Sequence, residues 1–437
     1  MPAGFAATIT CSSCMSSCRS SAGLATGGGG MSLSSRKAPS RARPHMPHTI
    51  HPRLAAFGES IFTTMSRLAT EHKAVNLGQG FPDFDAPAVV KQAAIDAIAA
   101  GHSQYARAPG LPHTVERISE RMRATHGFAP DPMTEITLCT GCCEAITATI
   151  LGLCGVGDEI ILLDPCYDSY PAAVAMSGAK AVRVPMHAPG FRIEREALAR
   201  AITPRTKVIL LNTPHNPTGR IATDEELHIV ADLAIAHDLV VISDEVYEEI
   251  RFTAPHRSIA CLPGMRERTV IATGLGKTFS VTGWRLGWAV APPQLSAAVR
   301  ATHQFMTFCA PTPFAHAAAV AIDTLSDPTG YVAQLRRDYT TRRSIMHREL
   351  SSAGLDPLWP EGAYFMLASI EPWGFTDDVE AATTLVREAG VAAIPCSAFY
   401  DAAHAERGYL RFAFCKQEAT MVEAGRRLLT WADRRRG

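Results

Sequence analysis

Three ionisable residues stand where they could act on a bound small molecule. Lys277 lies in the segment 274–287, which is rich in glycine and apolar residues, and a poorly solvated amine has a lowered pKa and can form a Schiff base with an aldehyde. Asp244 follows the apolar run 239–243, where a carboxylate is costly unless a cation, such as a ligand nitrogen, pairs with it. Arg285 adds a planar anion-binding fork. Taken singly, Lys277 could be a surface charge and Asp244 a helix N-cap.

The loop 212–219 could position a side-chain amide. Its sequence, Asn-Thr-Pro-His-Asn-Pro-Thr-Gly, places two prolines and a glycine around Asn216, so the backbone has little freedom. A plain turn is the alternative, but the eight-residue pattern favours a fixed amide. Tyr247, three residues after Asp244, adds a phenol.

The turn 140–144, Thr-Gly-Cys-Cys-Glu, opens a predicted helix after the apolar run 136–139. Free backbone N–H groups at a helix start, here around Gly141, Cys142 and Cys143, offer a seat for a phosphate. An ordinary strand-to-helix turn is the alternative for this segment taken alone.

Together these residues meet the requirements of one cofactor, pyridoxal 5′-phosphate. They supply a phosphate seat, an amine for an aldehyde, an acid for a ring nitrogen, and an amide and a phenol for a ring oxygen. A carboxylate opposite the pyridine nitrogen keeps the ring protonated, so that it can accept electrons from a carbanion. The combined pattern is far more specific than any of its parts.

Short apolar strands alternate with helical segments from about residue 134. This alternation predicts an α/β fold with a mostly parallel central sheet, in which ligands bind beyond the carboxyl ends of the strands. The predicted strands span 136–139, 159–163, 181–185, 207–211, 239–243, 269–273 and 286–291, with helices at 144–153, near 171–177 and at 223–237.

We expect four parts along the chain. Residues 47–95 and 331–437 read as helix plus short strands and would form a small α+β domain from both chain ends, while residues 96–330 would form the large cofactor-binding domain. Residues 1–46 would be an N-terminal extension, either disordered, a targeting peptide, or upstream of a start at Met31 or Met46.

The charge pattern separates this extension from the rest. The 437 residues hold 42 basic and 42 acidic residues, but residues 1–45 carry five basic residues and no acid, so the remainder is mildly acidic. This balance gives no reason to expect nucleic-acid or anionic membrane binding. No apolar run reaches the length of a membrane span. We therefore expect a soluble, cytoplasmic protein, with organellar targeting by residues 1–45 as the alternative.

The twelve cysteines predict neither a metal site nor a disulfide framework. Cys11, Cys14 and Cys18 resemble half of a zinc site, but no second ligand pair follows at zinc-finger spacing. The other cysteines lie mostly in apolar segments, which is typical of buried thiols in a reducing compartment.

The chain resembles the class I/II aminotransferases of fold type I, which depend on pyridoxal phosphate, and in particular their kynurenine, glutamine and methionine aminotransferase branch. The resemblance covers about residues 50–435. The motifs that carry it are Asn-Leu-Gly-Gln-Gly-Phe-Pro-Asp-Phe at 76–84, the loop 212–219, Ser-Asp-Glu-Val-Tyr at 243–247, the segment 276–287, and Leu-Arg-Phe-Ala-Phe at 410–414.

The resemblance implies a role for each matching residue. Lys277 would bind the cofactor covalently and move the substrate proton, Asp244 would pair with the pyridine nitrogen, and Tyr247 would tune the lysine linkage. Further cofactor contacts would come from Gly141, Cys142, Cys143, Tyr167, Asn216, Arg285 and, from a neighbouring subunit of a homodimer, Tyr105.

The substrate contacts follow from the same resemblance. Arg411 would bind the α-carboxylate with help from Asn216 and the Gly80 backbone, and an arginine between apolar neighbours is expensive to bury without an anion. Phe62 stands where kynurenine-type relatives carry a pocket aromatic, and Phe308 lies in another pocket-forming stretch. With no evident second arginine for a side-chain carboxylate, neutral or aromatic donors such as methionine, glutamine, phenylalanine or kynurenine are expected.

The chain departs from the family pattern at two positions of the phosphate seat. Gly274 stands where relatives often have serine, and Cys143 where many have threonine. We therefore expect weaker cofactor retention than is usual. Since a helix N-terminus lowers thiol pKa values, Cys142 and Cys143 are also expected to be oxidation-sensitive in the form without cofactor.

The reaction implied is ping-pong transamination between an amino acid and a 2-oxo acid. Two alternatives remain open. The same residues could support β-elimination from cysteine S-conjugates, which releases pyruvate without a co-substrate. A non-catalytic regulator that binds the cofactor would need a DNA-binding domain in front, and residues 1–45 have no sustained hydrophobic period from which to build one.

Overall fold

The computed structural model describes residues 50–253, 255–327 and 329–436, so the prediction for residues 1–46 lies outside the described residues. The strands within these ranges are β1 Val75–Asn76, β2 Ile136–Cys139, β3 Glu159–Asp164, β4 Lys180–Pro185, β5 Thr206–Asn212, β6 Val240–Asp244, β7 Thr269–Gly274, β8 Gly287–Val290, β9 Asp356–Pro357, β10 Phe365–Ser369, β11 Val391–Ala392, β12 Ile394–Pro395 and β13 Tyr409–Ala413.

The α-helices surround these strands. They are α1 Pro52–Ala55, α2 Ile61–Glu71, α3 Ala88–Ala99, α4 Pro112–His126, α5 Cys142–Leu153, α6 Ser169–Ser177, α7 Arg195–Ala201, α8 Asp224–Ala236, α9 Leu275–Thr278, α10 Pro293–Met306, α11 Thr312–Thr324, α12 Tyr331–Ser352, α13 Asp378–Thr384 and α14 Glu418–Arg436. Short 3-10 helices span Ile259–Cys261, Arg266–Arg268, Thr282–Trp284, Glu371–Trp373 and Cys396–Phe399, and a π-helix spans Leu385–Ala389.

Seven strands form the central sheet in the order β2-β8-β7-β6-β5-β3-β4. Strand β8 runs antiparallel to both of its neighbours, and the remaining pairs are parallel. The predicted α/β fold with a mostly parallel sheet is confirmed. The seven predicted strands of this sheet agree with the observed ones to within one residue at each end.

Alternating side chains of the central strands enter two apolar cores on opposite faces of the sheet. Ile161 and Ile209 pack in one core with helix α8, while Ile160 and Val208 pack in the other with α5 and α6. This alternation is the period-2 geometry of a strand. Burial on both faces is what excludes water from the sheet and explains the continuous apolar runs in the sequence.

A second, antiparallel sheet has the order β12-β13-β10-β9, and β1 pairs in parallel with β11. Its strands come from the last hundred residues, and its apolar core includes Met366, Leu410 and Phe412. The described residues from Ile50 onward form one compact unit, and the division at residues 95 and 330 stays a prediction.

Helix α8 shows how the sequence sets one boundary. Thr223 accepts a hydrogen bond from the backbone of Glu226, and the Glu226 carboxylate accepts one from the Thr223 backbone. This reciprocal pair is a capping box, and it fixes the start of the helix predicted at 223–237. Helix α8 thereby covers the sheet beside strand β6, whose end carries Asp244.

Candidate active site

The carboxyl ends of β5, β6 and β7 meet at one edge of the central sheet, and a cavity of about 450 Å³ lies there. Asn212 pairs in register with Asp244, and Asp244 with Ala272. The predicted site residues that line the cavity are Phe62, Gly80, Gly141, Cys142, Cys143, Tyr167, Asn216, Asp244, Tyr247, Lys277, Arg285 and Arg411.

Tyr105 is the one predicted site residue that the structure does not place in this cavity. Its side chain is 82% exposed, and its ring meets Phe308 edge-on at 5.2 Å between centroids. Thr312 Oγ1 donates a hydrogen bond to the carbonyl of Gln104 and so ties this loop to α11. A role for Tyr105 in a neighbouring subunit stays a prediction.

Two glycines let backbone and side chains come close together at the start of α5. Gly141 has φ +87°, and a Cβ there would lie 2.7 Å from Nη2 of Arg285. A Cβ on Gly287 would lie 2.6 Å from the backbone nitrogen of Cys142. These close approaches, with Arg285 beside free N–H groups of a helix start, suit an anion.

Gly274 is held by similar crowding. A Cβ there would lie 2.7 Å from the carbonyl oxygen of Leu286 and 2.8 Å from the Cα of Gly287. A serine at position 274 therefore requires strand β8 to move. The glycine is explained by packing between β7 and β8, whatever its effect on cofactor retention.

Asp244 is buried and held by three donors. Tyr170 Oη donates to Oδ2 at 2.5 Å, Cys142 Sγ donates to Oδ1 at 3.5 Å, and the backbone N–H of Val246 donates to Oδ1 at 3.2 Å. Burial raises the pKa of Asp244 more than these donors and Lys277 lower it. A cation against this carboxylate would restore its ionised form.

The expectation of a low thiol pKa for Cys142 is wrong, because the Cys142 thiol is buried in contact with Asp244. Burial and the neighbouring Asp244 charge raise the pKa of Cys142 well above the ordinary thiol value. These two effects outweigh the influence of the α5 N-terminus, which lowers a thiol pKa when the thiol is accessible and has no acid beside it. Cys142 is thus a hydrogen-bond donor to a carboxylate.

Lys277 lies in the short helix α9 at the end of β7. Within the described residues it makes no ion pair, and its Nζ lies 5.8 Å from the ring centroids of Tyr247 and Tyr364. Burial lowers the pKa of Lys277, and the nearby Cys143, Cys415 and Asp244 oppose this effect. The amine is therefore neutral over a wider pH range than an exposed lysine, as nucleophilic attack on an aldehyde requires.

Arg411 is the largest fully buried side chain of the described residues, with 1% exposure. Its Nη1 donates to Oδ1 of Asn216 and its Nη2 to the carbonyl of Gly78, each at 2.7 Å. Its Nε has no partner, and no carboxylate among the described residues pairs with it. Burial lowers the pKa of Arg411 to about 10. A buried guanidinium without an acid indicates a site for an anionic ligand.

Aromatic rings surround this guanidinium. Its Cζ lies 4.1 Å from the centroid of Phe365, 4.9 Å from Phe399 and 5.1 Å from Phe62. Such contacts stabilise the cation and leave an apolar wall beside it. Tyr167 adds to this wall, with its ring 6.2 Å from that of Phe62.

The loop 212–219 is fixed as predicted from its prolines. Asn212 Nδ2 donates to the carbonyl of Asp244, and Asn212 Oδ1 accepts from the backbone N–H of Asn216. Asn216 is thereby held between the end of β5 and Arg411. Tyr247 is buried against Tyr364, whose hydroxyl donates to the carbonyl of Gly80 at 2.7 Å.

Several residues of the site were not found by sequence reasoning. They are Ser60, Asp168, Tyr170, Asn212, Phe365 and Phe399. Tyr170 had a usable signal, because it lies three residues after Tyr167, in the first turn of α6, and the two rings meet edge-on at 5.8 Å between centroids. Phe365 had none, since its approach to Arg411 depends on pairing of two distant strands.

Comparison with known proteins identifies the family. A sequence model described as "Aminotransferase class I and II" matches residues 72–428. The chain belongs to this family.

The aminotransferase is similar to three characterised relatives. A methionine aminotransferase of Escherichia coli is 38% identical, over 88% of this chain and 98% of the relative. A kynurenine–oxoglutarate transaminase of Dictyostelium discoideum is 36% identical, over 88% and 97%. The solved N-succinyldiaminopimelate aminotransferase of Mycobacterium tuberculosis has 43% identity and a TM-score of 0.85, over 88% of this chain and 100% of that structure.

This family uses pyridoxal 5′-phosphate, so the cofactor predicted from the sequence is confirmed. The geometry of the aminotransferase fits it. Arg285 and the α5 start offer an anion seat, and Lys277 offers an amine without an ion pair. Asp244, which accepts a hydrogen bond from Cys142 of α5, supplies a buried acid with a raised pKa. No helix of the described residues is both long and apolar enough to cross a membrane.

Proposed function

We propose that this aminotransferase moves the α-amino group of a neutral or aromatic L-amino acid to a 2-oxo acid by a ping-pong mechanism. The observation that carries the proposal is Arg411, a guanidinium with 1% exposure and no acidic partner among the described residues. Arg411 would bind the single α-carboxylate of the substrate. The substrate side chain would pack against the apolar wall of Phe62, Phe365 and Phe399.

The charges of the cavity support a neutral side chain. The cations that line it within the described residues are Lys277, Arg285 and Arg411. Lys277 and Arg285 serve the cofactor, which leaves Arg411 alone for substrate. A donor with a second carboxylate would find no cation in the described chain and would lose hydration without compensation.

Each residue then has a defined task. When bound, the cofactor withdraws electrons from the substrate Cα–H bond through its protonated ring. Arg411 and Asn216 would orient the substrate carboxylate, and Tyr167 would hold the cofactor ring. Asp244 would pair with the ring nitrogen and keep it protonated.

Lys277 holds the cofactor and moves the proton at the substrate Cα. Burial lowers the pKa of Lys277, so its Nζ lone pair can accept this proton at a lower pH than that of an exposed lysine. The ring of Tyr247 lies 5.8 Å from Nζ of Lys277, where Tyr247 would tune the linkage between the lysine and the bound cofactor. The Gly141–Cys143 backbone and Arg285 would hold the phosphate.

We further propose that the active form is a homodimer in which Tyr105 binds the phosphate in the neighbouring site. The exposed ring of Tyr105 and its contact with Phe308 support this. Phe305, three residues before Phe308, is 86% exposed, which is costly for a large apolar side chain in water.

A half-reaction screen tests the substrate class. Amino acids are mixed singly with loaded enzyme, and the change in cofactor absorbance is followed. Methionine, glutamine, phenylalanine and kynurenine should react, and aspartate and N-succinyldiaminopimelate should react slowly. Lys277→Ala should bind substrate without turnover, while Lys91→Ala, an exposed lysine of α3, should be unaffected. Faster reaction of the dicarboxylic donors would contradict the proposal.

The same screen decides the β-elimination alternative. Cysteine S-conjugates are added without a 2-oxo acid, and pyruvate is measured. Continuous pyruvate release would favour a lyase, whereas a single turnover that stops until a 2-oxo acid is added indicates transamination.

A further inference from the structure

A second cavity, of about 470 Å³, has a cluster of imidazole and carboxylate groups in its wall. It is lined by His126, Glu248 and His256, and Glu245 lies directly behind them. The ligand atoms of His126, Glu245 and Glu248 all lie within 4.8 Å of one another. We call these four residues the His-Glu cluster. The proposed transamination uses none of them.

Glu245 forms the centre of the His-Glu cluster. Its carboxylate is fully buried, and its Oε1 accepts hydrogen bonds from Ser243 at 2.7 Å and Ser258 at 2.6 Å. Its Oε2 faces Nε2 of His256 at 2.7 Å and Nε2 of His126 at 3.7 Å. One oxygen is therefore held in place by hydroxyls and the other is left for two imidazoles, as in carboxylates that bind metals.

The tautomer of His126 follows from its other contact. Thr125 Oγ1 donates its proton to the carbonyl of Arg121 at 3.0 Å and lies 2.7 Å from Nδ1 of His126. Thr125 Oγ1 must then accept from Nδ1–H. In the neutral ring, the Nε2 lone pair consequently points toward the oxygen of Glu245, and either a proton on Nε2 or a metal ion between the two atoms relieves the repulsion.

His256 and Glu248 complete the set. The His256 side chain is 4% exposed, and its Nδ1 is buried with no partner among the described residues. Glu248 has no ion pair within the described residues; Thr273 Oγ1 donates to it at 3.3 Å.

The arginines of the cavity are directed elsewhere. Arg121 and Arg336 both pair with Glu249. Arg257 pairs with Asp224, and Arg251 donates to the backbone carbonyl of Glu248. None of these guanidinium groups contacts the carboxylate of Glu245 or Glu248 in an ion pair of the described residues.

We propose that His126, Glu245 and Glu248, whose ligand atoms lie within 4.8 Å of one another, bind one divalent transition-metal ion of the zinc type, with Nε2 of His256 as the fourth ligand. Two imidazole nitrogens and two carboxylate oxygens are a donor set that Zn²⁺ accepts in tetrahedral geometry, with ligand atoms about 3.3 Å apart. On binding, the proton between His256 Nε2 and Glu245 Oε2 leaves to water, and these two atoms move apart from 2.7 Å to make room for the metal. The sequence did not predict this site because its ligands come from three separate segments without metal-site spacing.

The test is a titration of the cofactor-loaded full chain with Co²⁺, which reports tetrahedral coordination by visible absorption. Wild type should bind one Co²⁺ per chain with that spectrum, and Zn²⁺ should displace it. His126→Gln and His256→Gln should each weaken binding by more than about tenfold, and Thr125→Val, which removes the support of His126, by about tenfold.

Matched variants separate this site from other histidines. His228→Gln changes an exposed histidine whose ring contacts only the carbonyl of Asp224 and should leave binding unchanged. His113→Gln changes a second histidine group, in which His113 and His102 both pack on His316, and should also have no effect. X-ray absorption of Zn²⁺-loaded wild type should show two imidazoles, a readout that no variant's folding affects. Absence of bound Co²⁺, a first shell without imidazole, or loss of binding only in His113→Gln would overturn the proposal.

Discussion

Arg411 is the residue on which the proposed substrate class depends most. Lysine at this position keeps the charge but offers one point donor where arginine offers a planar fork. Arg411→Lys should lower kcat/KM by about 10- to 100-fold, mainly through KM, because one or two charge-assisted hydrogen bonds to the carboxylate are lost. Steady-state kinetics with methionine measures this. The control is Arg407→Lys, an exposed arginine paired with Asp377, and equal effects of the two variants would contradict the assignment.

The donors to Asp244 predict a change in the pH profile. Tyr170 and Cys142 both lower the pKa of Asp244 against the effect of burial. Removing either donor raises that pKa, so the carboxylate becomes protonated at a higher pH and loses its pairing with a cationic ring nitrogen. The acid limb of kcat/KM should therefore move to higher pH in Cys142→Ala, and further in Tyr170→Phe. Cys142→Ser should restore the wild-type limb, whereas an identical shift in the serine variant would show a packing effect.

At the scale of elements, the His303–Glu144 pair joins α10 to α5. His303 Nδ1 lies 2.7 Å from Glu144 Oε1, and its Nε2 lies 2.9 Å from the carbonyl of Ala108. Both partners accept hydrogen bonds, so the ring binds as an imidazolium. Burial opposes this charge, but Glu144 and the Ala108 carbonyl raise the pKa of His303 overall.

This pair predicts a pH-dependent stability. A folded-state pKa above the unfolded value near 6.5 stabilises the fold fully below about pH 6.5, and the contribution is lost as pH rises through the folded value. His303→Gln should cost about 3 kcal/mol at pH 6, because it leaves the buried Glu144 charge unpaired, and the difference from wild type should shrink at alkaline pH. Urea unfolding at several pH values measures it, with the exposed His72→Gln as control. A difference that grows with pH would refute the sign.

The elements also show what the sequence could predict. Apolar runs such as 207–211 and 239–243 are buried on both faces, so composition alone located β5 and β6 and the polar residues at their ends. The resemblance supplied the partners that local pattern could not, such as Arg411 with Asn216. Neither located Tyr170 against Asp244 or the His-Glu cluster, because such contacts join segments that only tertiary packing brings together.

At the scale of the whole molecule, the proposed exchange of Tyr105 between subunits can be tested by mixing two weak variants, because each active site would then contain residues of both chains. Lys277→Ala lacks the catalytic amine, and Tyr105→Ala lacks the donor that we place in the neighbouring site. In a mixed dimer of the two, one site carries both defects, while the other has Lys277 from one subunit and Tyr105 from the other.

Mixing the two weak variants, after partial unfolding and refolding with cofactor, should therefore regain activity above that of either alone. If Tyr105 serves its own subunit, each site of the mixed dimer keeps one defect and no activity is regained.

Phe305→Glu, which places a charge on an exposed ring position near Phe308, should shift the enzyme from dimer to monomer in light scattering, because a buried charge opposes the interface. Tyr105→Phe should stay dimeric and lose cofactor affinity. Activity regained in the mixture but absent when both variants also carry Phe305→Glu would show that the repaired site forms only between subunits.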